Sequence, residues 1–343
     1  MKSAKVLLGI GNPLLDISVH VEKSYLDKYG KKVGDASLAS ESDLPMYKEI
    51  AENPDVLYIA GGSTQNTIRG AQWIVGQTGV THYIGSVGAD DNAQKLREAA
   101  KGDGVTTHYY VSEKSRTGCC AVLIVNQERS LVADLAAAND YQHSHYETEE
   151  IQNLIKSVDI FYSAGFFLTV SPNTVVEIGK YCAESNKILA WGVAAPFIVE
   201  FFWEKVQNVL PYVDYLIANE TEAAALLAKL NIDGTDMSKA MKQVSELPKV
   251  NSKRTRTVIF TQGSQPVIAY HEGKFLSIEP PKLSKEEIVD TNGAGDAFLG
   301  GFLAGLMLDK PFEESVRAAM FTARYILQVS GTQYNKKCDF VWN

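Results

Sequence analysis

The sequence predicts an α/β fold: a doubly wound, mainly parallel sheet that carries a small β-rich lid. Three observations point there. Short β-rich runs alternate with helix-patterned stretches over most of the 343 residues, as βαβ units do. Several of these runs are almost continuously apolar, as strands buried on both faces are. Two other stretches break the alternation and read as consecutive strands, which suits a second, smaller sheet.

The strand runs lie at 6–10, 82–85, 160–164, 188–193, 215–218 and 257–261, with helical patterns at 64–75, 92–101, 172–184, 220–230 and 237–247 between them. The rhythm breaks first in 17–60, where an "SVHVEK" strand, a charged helix near 42–52 and another strand follow one another. It breaks again in 106–136, through "THYYV", "CAVLIV" and "SLVADL". These two stretches are assigned to the lid, and 1–16, 61–105 and 137–343 to the large domain. No linker rich in Pro, Gly and Ser separates them, so the lid should pack rather than hang on a tether.

Composition narrows the partners. With 45% hydrophobic and 22% charged residues the chain is an ordinary globular one, and a net charge of −8 argues against nucleic acid or an anionic membrane surface as partner. The four cysteines, Cys119, Cys120, Cys182 and Cys338, form no C-x-x-C spacing. Their pattern favours a reducing compartment. No apolar run reaches membrane-spanning length, and the opening "KVLLGIGNPLLDIS" is broken too early to be a signal peptide. No G-x-x-x-x-G-K-[ST], H-E-x-x-H or G-x-S-x-G occurs, and 293–298 ends in Phe298 where a dinucleotide fingerprint needs glycine. His143 and His145 read as solvated surface rather than metal ligands.

The segment "DTNGAGDAFLGGF", 290–302, holds the densest chemistry. Gly293, Ala294 and Gly295 let a ligand approach free N–H groups at the start of an apolar helix, an end that suits phosphate. Asp296 sits among those donors, which favours its ionised form. A glycine turn with a capping aspartate explains the same residues. Gly300, Gly301 and Gly305 permit close helix packing. In "GNPLLD", Asp16 follows the first strand, where α/β ligands bind, and a carboxylate there can accept two sugar hydroxyls. In "AGGSTQN", Gly61, Gly62 and Ser63 make a second tight approach before a helix containing Asn66. In "ANETEA", Asn219 and Glu222 are placed to orient Mg²⁺ through water or, equally, to cap a helix. In "ERSLVADL", period-two alternation puts Arg129, Leu131, Ala133 and Leu135 on one face, a guanidinium beside a surface for an aromatic base.

In order, the Gly-Gly turn at 61–62, N-x-x-E at 219–222 and D-T-N-G-A-G-D at 290–296 resemble the ribokinase-like (PfkB) carbohydrate and nucleoside kinase family. The resemblance runs from residue 6 to about residue 331. Finer stretches, among them "GNPLLDIS", "RSLVADLAAAN", "GFFLTVSP", "APFI" and "VIFTQG", are similar to the members that act on adenosine. The resemblance implies a ribokinase-like fold and phosphoryl transfer from ATP, with Mg²⁺, to the adenosine 5′-hydroxyl. A kinase for another nucleoside or a sugar, or a non-catalytic nucleoside-binding protein, is the alternative. It makes Asp296 the catalytic base, Gly293, Ala294 and Gly295 the anion hole, and Arg129 the phosphate-facing arginine. Asp16 takes the ribose hydroxyls with Asn12, Gly62, Ser63, Asn66 and Asn292 nearby, and Leu131, Ala133, Leu135 and Phe166 face the purine. Asn219, Thr261 and Gly263 join Gly293 and Gly295 on the ATP side, and Glu222 holds the metal through water. A cytoplasmic monomer, with a nuclear pool admitted, is the implied state. Two departures stand out. Family members read N-L-S-A-P where this chain has Gly192-Val193-Ala194-Ala195-Pro196, and G-C-T-F-P-E where it has "GTQYNK" at 331–336.

Overall fold

The computed structural model of the protein describes residues 3–126 and 128–343. In chain order the strands are β1 (Leu7–Ile10), β2 (Leu14–His20), β3 (Ala36–Leu38), β4 (Leu57–Gly61) and β5 (Thr81–Gly88). They continue as β6 (Thr106–Ser112), β7 (Cys119–Val125), β8 (Glu128–Asp134), β9 (Ile160–Ala164) and β10 (Ile188–Gly192). The last four are β11 (Tyr215–Asn219), β12 (Thr257–Gln262), β13 (Gln265–His271) and β14 (Lys274–Ile278).

Nine strands form the large sheet in the order β14-β13-β12-β11-β10-β9-β1-β5-β6. From β12 to β6 every pairing is parallel, and β13 and β14 add an antiparallel edge. Helices cover both faces, which is why the parallel strands are apolar throughout. On β9, Ile160 and Tyr162 pack with Phe298 and Phe302 of the Ala294–Met307 helix, while Phe161 points the other way, toward Val175 and Ile178. The strand order reverses at β1, which has β9 on one side and β5 on the other. In doubly wound sheets ligands bind beyond the carboxyl ends of strands at such a reversal.

The Ala294–Met307 helix is apolar all round because it is buried all round. Its glycines are spacers. A Cβ at Gly300 would stand 2.6 Å from the Thr67 carbonyl oxygen of the Ser63–Val75 helix, and one at Gly301 would overlap the Ala318 carbonyl of the Phe312–Leu327 helix. Backbone cannot step aside as a flexible side chain can. Gly301→Ala should therefore cost about 1–3 kcal/mol, the usual penalty for overpacking. Urea unfolding would show it as a lower midpoint at unchanged slope.

The lid is a five-stranded sheet, β3-β8-β7-β2-β4. Two sequence assignments change here. The "THYYV" run does not join the lid: β6 pairs with β5 at the edge of the large sheet, because Tyr109 is needed there, packed edge-on to Tyr83 at 5.8 Å. Asp16 does not end the first strand, since β1 stops at Ile10 and Asp16 lies within β2, in the lid sheet. Gly11, Asn12 and Pro13 make the step between the sheets.

Candidate active site

The site lies where β1 and β9 end side by side. Beyond β1, the Asn12 side-chain amide donates to the Phe166 carbonyl in the turn that follows β9 (3.5 Å), and its own Oδ1 is buried without a partner. The Gly-Gly turn is there because two groups crowd it. A Cβ at Gly61 would overlap the Asp16 carboxylate; one at Gly62, where φ is +92°, would overlap the Asn12 carbonyl. That approach delivers Ser63 to the first turn of its helix beside the 290–296 loop.

Asp296 is held from there. Ser63 Oγ donates to its Oδ1 at 2.7 Å, and Asn66 Nδ2 to its Oδ2 at 3.1 Å. Burial raises the carboxyl to about 6, against the pull of these two donors. The sequence argument expected the neighbouring N–H groups to favour the ionised form. Desolvation outweighs them. The capping alternative also fails, since Gly293 is the N-cap residue and Asp296 stands three positions inside the helix. Gly293 is a structural requirement, with φ +76° and Thr332 Oγ1 where a Cβ would go. Gly295 is not, for a Cβ there would meet nothing within 4 Å. Its bareness leaves the helix N-terminus uncovered, as an anion site needs.

The lid lays its own face over this point. Register aligns Asp16 with Cys120 and Cys120 with Ala133, and in the same way Val122 with Leu131. Leu14, Cys120, Val122, Ile124, Leu131, Ala133 and Leu135 form one apolar patch separate from the main cores. Leu135 lies just past β8 yet stays with the patch. Phe166 adds an aromatic wall with Phe197, their ring centroids 6.0 Å apart. Phe197 went unnoticed in the sequence, although it sits in the "APFI" stretch. Asp16 is raised to about 7, chiefly by burial, with Arg129 opposing and Asp296 adding to the shift.

Arg129 is less free than the sequence suggested. Its Nε meets Asp290 at 2.8 Å in a buried ion pair, and Nη2 donates to Ser330 (2.9 Å). Asp290 in turn accepts from the Gly331 N–H at 2.7 Å. The lid strand is thereby fastened to the root of the 290–296 loop and to the "GTQYNK" segment. Asp290 had no assigned role, because the first aspartate of the loop looks like turn chemistry until its partner is seen.

At the end of β11, Asn219 and Glu222 do form a capping box. Asn219 Oδ1 accepts from the Thr221 and Glu222 N–H groups, while Glu222 accepts from the Asn219 N–H (3.0 Å) and side-chain amide (2.8 Å). Burial pushes Glu222 up to about 7, with no cation beside it. Among the described residues no three His, Cys, Asp or Glu converge as a metal cage. That fits a Mg²⁺ bound mainly by nucleotide phosphates and water, with one buried carboxylate nearby, better than an all-protein site. Thr261, half-buried, pairs with Asn219 one residue before the end of β12, and Gly263 turns the exposed loop after it at φ +57°. Asn292 is half-buried in the 290–296 loop, and its N–H donates to Asp290. His143 and His145 are not simply solvated; each is half-buried with a hydrogen-bond partner, Thr174 and the His108 carbonyl. In the departing "GVAAP" stretch a Cβ at Gly192 would lie 3.1 Å from the Tyr162 hydroxyl and 3.3 Å from Leu299. Ala194 adopts φ +75°, a conformation unusual for a residue with a side chain.

Known proteins share this chain's sequence pattern and fold. Residues 23–338 match the model of the pfkB family carbohydrate kinases. The chain is 43% identical to adenosine kinase 1 of Arabidopsis thaliana, over 98% of its own length and 97% of the relative's. It is 44% identical to the adenosine kinase of Dictyostelium discoideum, with 96% of each covered. Among solved structures, Anopheles gambiae adenosine kinase in complex with P1,P4-di(adenosine-5) tetraphosphate superposes with a TM-score of 0.93 at 40% identity, covering 99% of this chain and 100% of that one. The chain belongs to the pfkB carbohydrate kinase family and groups within it with the adenosine kinases.

Proposed function

We propose that this protein is an adenosine kinase that transfers the γ-phosphoryl group of ATP to the 5′-hydroxyl of adenosine, giving AMP and ADP. The observation that carries the reading is the placement of Asp296. It is half-buried, gripped by Ser63 and Asn66, and set at a bare helix N-terminus facing a lid that carries Asp16. The Asn12 and Asn66 Oδ1 atoms are buried acceptors without partners, as suits a ligand rich in hydroxyl donors.

The 5′-oxygen attacks the γ-phosphorus as the bond to the β-phosphate oxygen breaks, and Asp296 accepts the hydroxyl proton. The Gly293–Gly295 amides stabilise charge on the transferring group. Glu222 and Asn219 would hold the water of a Mg²⁺ ion bound with the nucleotide, which would supply neutralisation of phosphate charge. Asp16 orients the ribose, Leu131, Ala133, Leu135 and Phe166 enclose the purine, and Arg129 brings a positive charge to the phosphate side. Asn292, Thr261 and Gly263 border the nucleotide. Lid closure excludes water from the transfer. The enzyme works as a monomer in the cytoplasm, and no described helix is long and apolar enough to cross a membrane. Purified protein with ATP, Mg²⁺ and adenosine should form ADP and AMP in equal amounts. A panel in which another nucleoside or a sugar is the better acceptor would overturn the substrate assignment.

A further inference from the structure

Tyr162 stands in the middle of β9, directly behind the reacting groups. Its hydroxyl is buried and has no hydrogen-bond partner. An unmet buried hydroxyl is costly; Tyr83 and Tyr141 carry others, so what singles out Tyr162 is the set of groups around it. The groups around it are specific: the hydroxyls of Thr67 and Ser63 from the Ser63–Val75 helix lie nearest, and the carboxyls of Asp296 and Glu222 act on it through their charge. On the remaining side Gly192 of β10 sets no side chain against the hydroxyl; an added Cβ would stand 3.1 Å from it.

Donor arithmetic decides what the hydroxyl does. Ser63 Oγ has one proton, given to Asp296 Oδ1 at 2.7 Å, and two lone pairs. Thr67 Oγ1 has given its proton to the Ser63 carbonyl at 3.1 Å. Neither hydroxyl has a proton left for Tyr162. The Tyr162 proton is the spare one; Thr67 and Ser63 both keep acceptor lone pairs, and of the two Ser63 is the one that leads to Asp296. Catalytic hydrogen bonds that are long in the empty enzyme tighten when substrate closes the site.

We propose that Tyr162 is a positioning residue, whose hydroxyl donates to Ser63 in the closed complex and so fixes the carboxylate of Asp296 for proton acceptance. In the chain Tyr162–Ser63–Asp296 each hydrogen bond polarises the next. Asp296 Oδ1 is then held from behind, and Oδ2, shared with Asn66, remains for the incoming hydroxyl. The assignment rests on Asp296 being the proton acceptor.

The test is Tyr162→Phe in the full enzyme, with Tyr83→Phe as the control. Tyr83 is another buried, unpartnered phenol on the same sheet, but it faces Tyr109 rather than the site. Tyr162→Phe should lower kcat about 2- to 12-fold, the rate equivalent of one net hydrogen bond. Adenosine KM should not change and the thermal midpoint should not fall, since the ring that packs the core is kept and an unmet hydroxyl is removed. In a cycle with Ser63→Ala, the double variant should lose less than the product of the single losses, because both remove one chain. An unchanged kcat in Tyr162→Phe, additive losses in the cycle, or an equal fall in Tyr83→Phe would each overturn the proposal. Asp296→Asn separates this from the wider reading. If that variant is inactive while Tyr162→Phe is normal, only the Tyr162 role is lost. If it turns over normally, the proton-acceptor reading itself is wrong.

Discussion

Asp296→Asn is expected to lose about 10²- to 10⁴-fold in kcat with adenosine binding nearly unchanged, the usual contribution of a positioned general base. The variant should fold. Ser63 can still donate to the retained carbonyl oxygen, and half a turn of the Asn66 amide brings its unpartnered Oδ1 to the new amide group. What disappears is the ability to take a proton. In the unaltered enzyme the same carboxylate should mark the pH profile. Its folded value of about 6 lies above that of a free carboxyl, so the working, ionised form is lost as pH falls through that value. Asp16, at about 7, works in its ionised form too, and kcat/KM should decline below neutrality in steps that belong to the pair. A profile flat down to pH 5, or near-normal turnover in Asp296→Asn, would remove Asp296 from the chemistry.

Asp16→Ala is expected to act on binding instead. Hydrogen bonds to a charged acceptor contribute about 1.5–3 kcal/mol each. Loss of two ribose hydroxyl contacts should therefore lower kcat/KM for adenosine by about 10²- to 10⁴-fold, largely through KM. The variant should also narrow the preference for adenosine over 2′-deoxyadenosine, which already lacks one of the two contacts. Measuring both nucleosides on both proteins settles the point: equal weakening of the two would mean that Asp16 does not meet the 2′-hydroxyl. Gly61 shows that the position is specialised, since the Asp16 carboxylate takes the space a side chain would need there.

Much of this was legible in the chain itself. The run 160–164 reads as a strand buried on both faces, and β9 occupies those residues; the 220–230 pattern is likewise the helix Glu220–Leu230. Local pattern is enough where a strand is mostly apolar and buried along its whole length, or where a helix carries its own cap. The 290–296 loop was recognisable as a place for an anion and a carboxylate, because glycine spacing and a helix start are adjacent in sequence. Tertiary structure alone decided matters that depend on distant neighbours. Whether the "THYYV" run belongs to lid or main sheet turned on the pairing of Tyr109 with Tyr83, which no local pattern encodes. That Arg129 is tied to Asp290 spans 161 residues of chain (129 to 290), and two charges so far apart in sequence give no sign of each other. The raised value of Asp296 had the same origin. Sequence shows the N–H groups beside it, which favour charge, but not the burial by remote elements, which opposes charge more strongly. Residue types and their local spacing therefore determined the fold class and the chemistry on offer. Which groups meet, and in what protonation state, followed only from long-range packing, because desolvation and ion pairing are properties of the assembled interior.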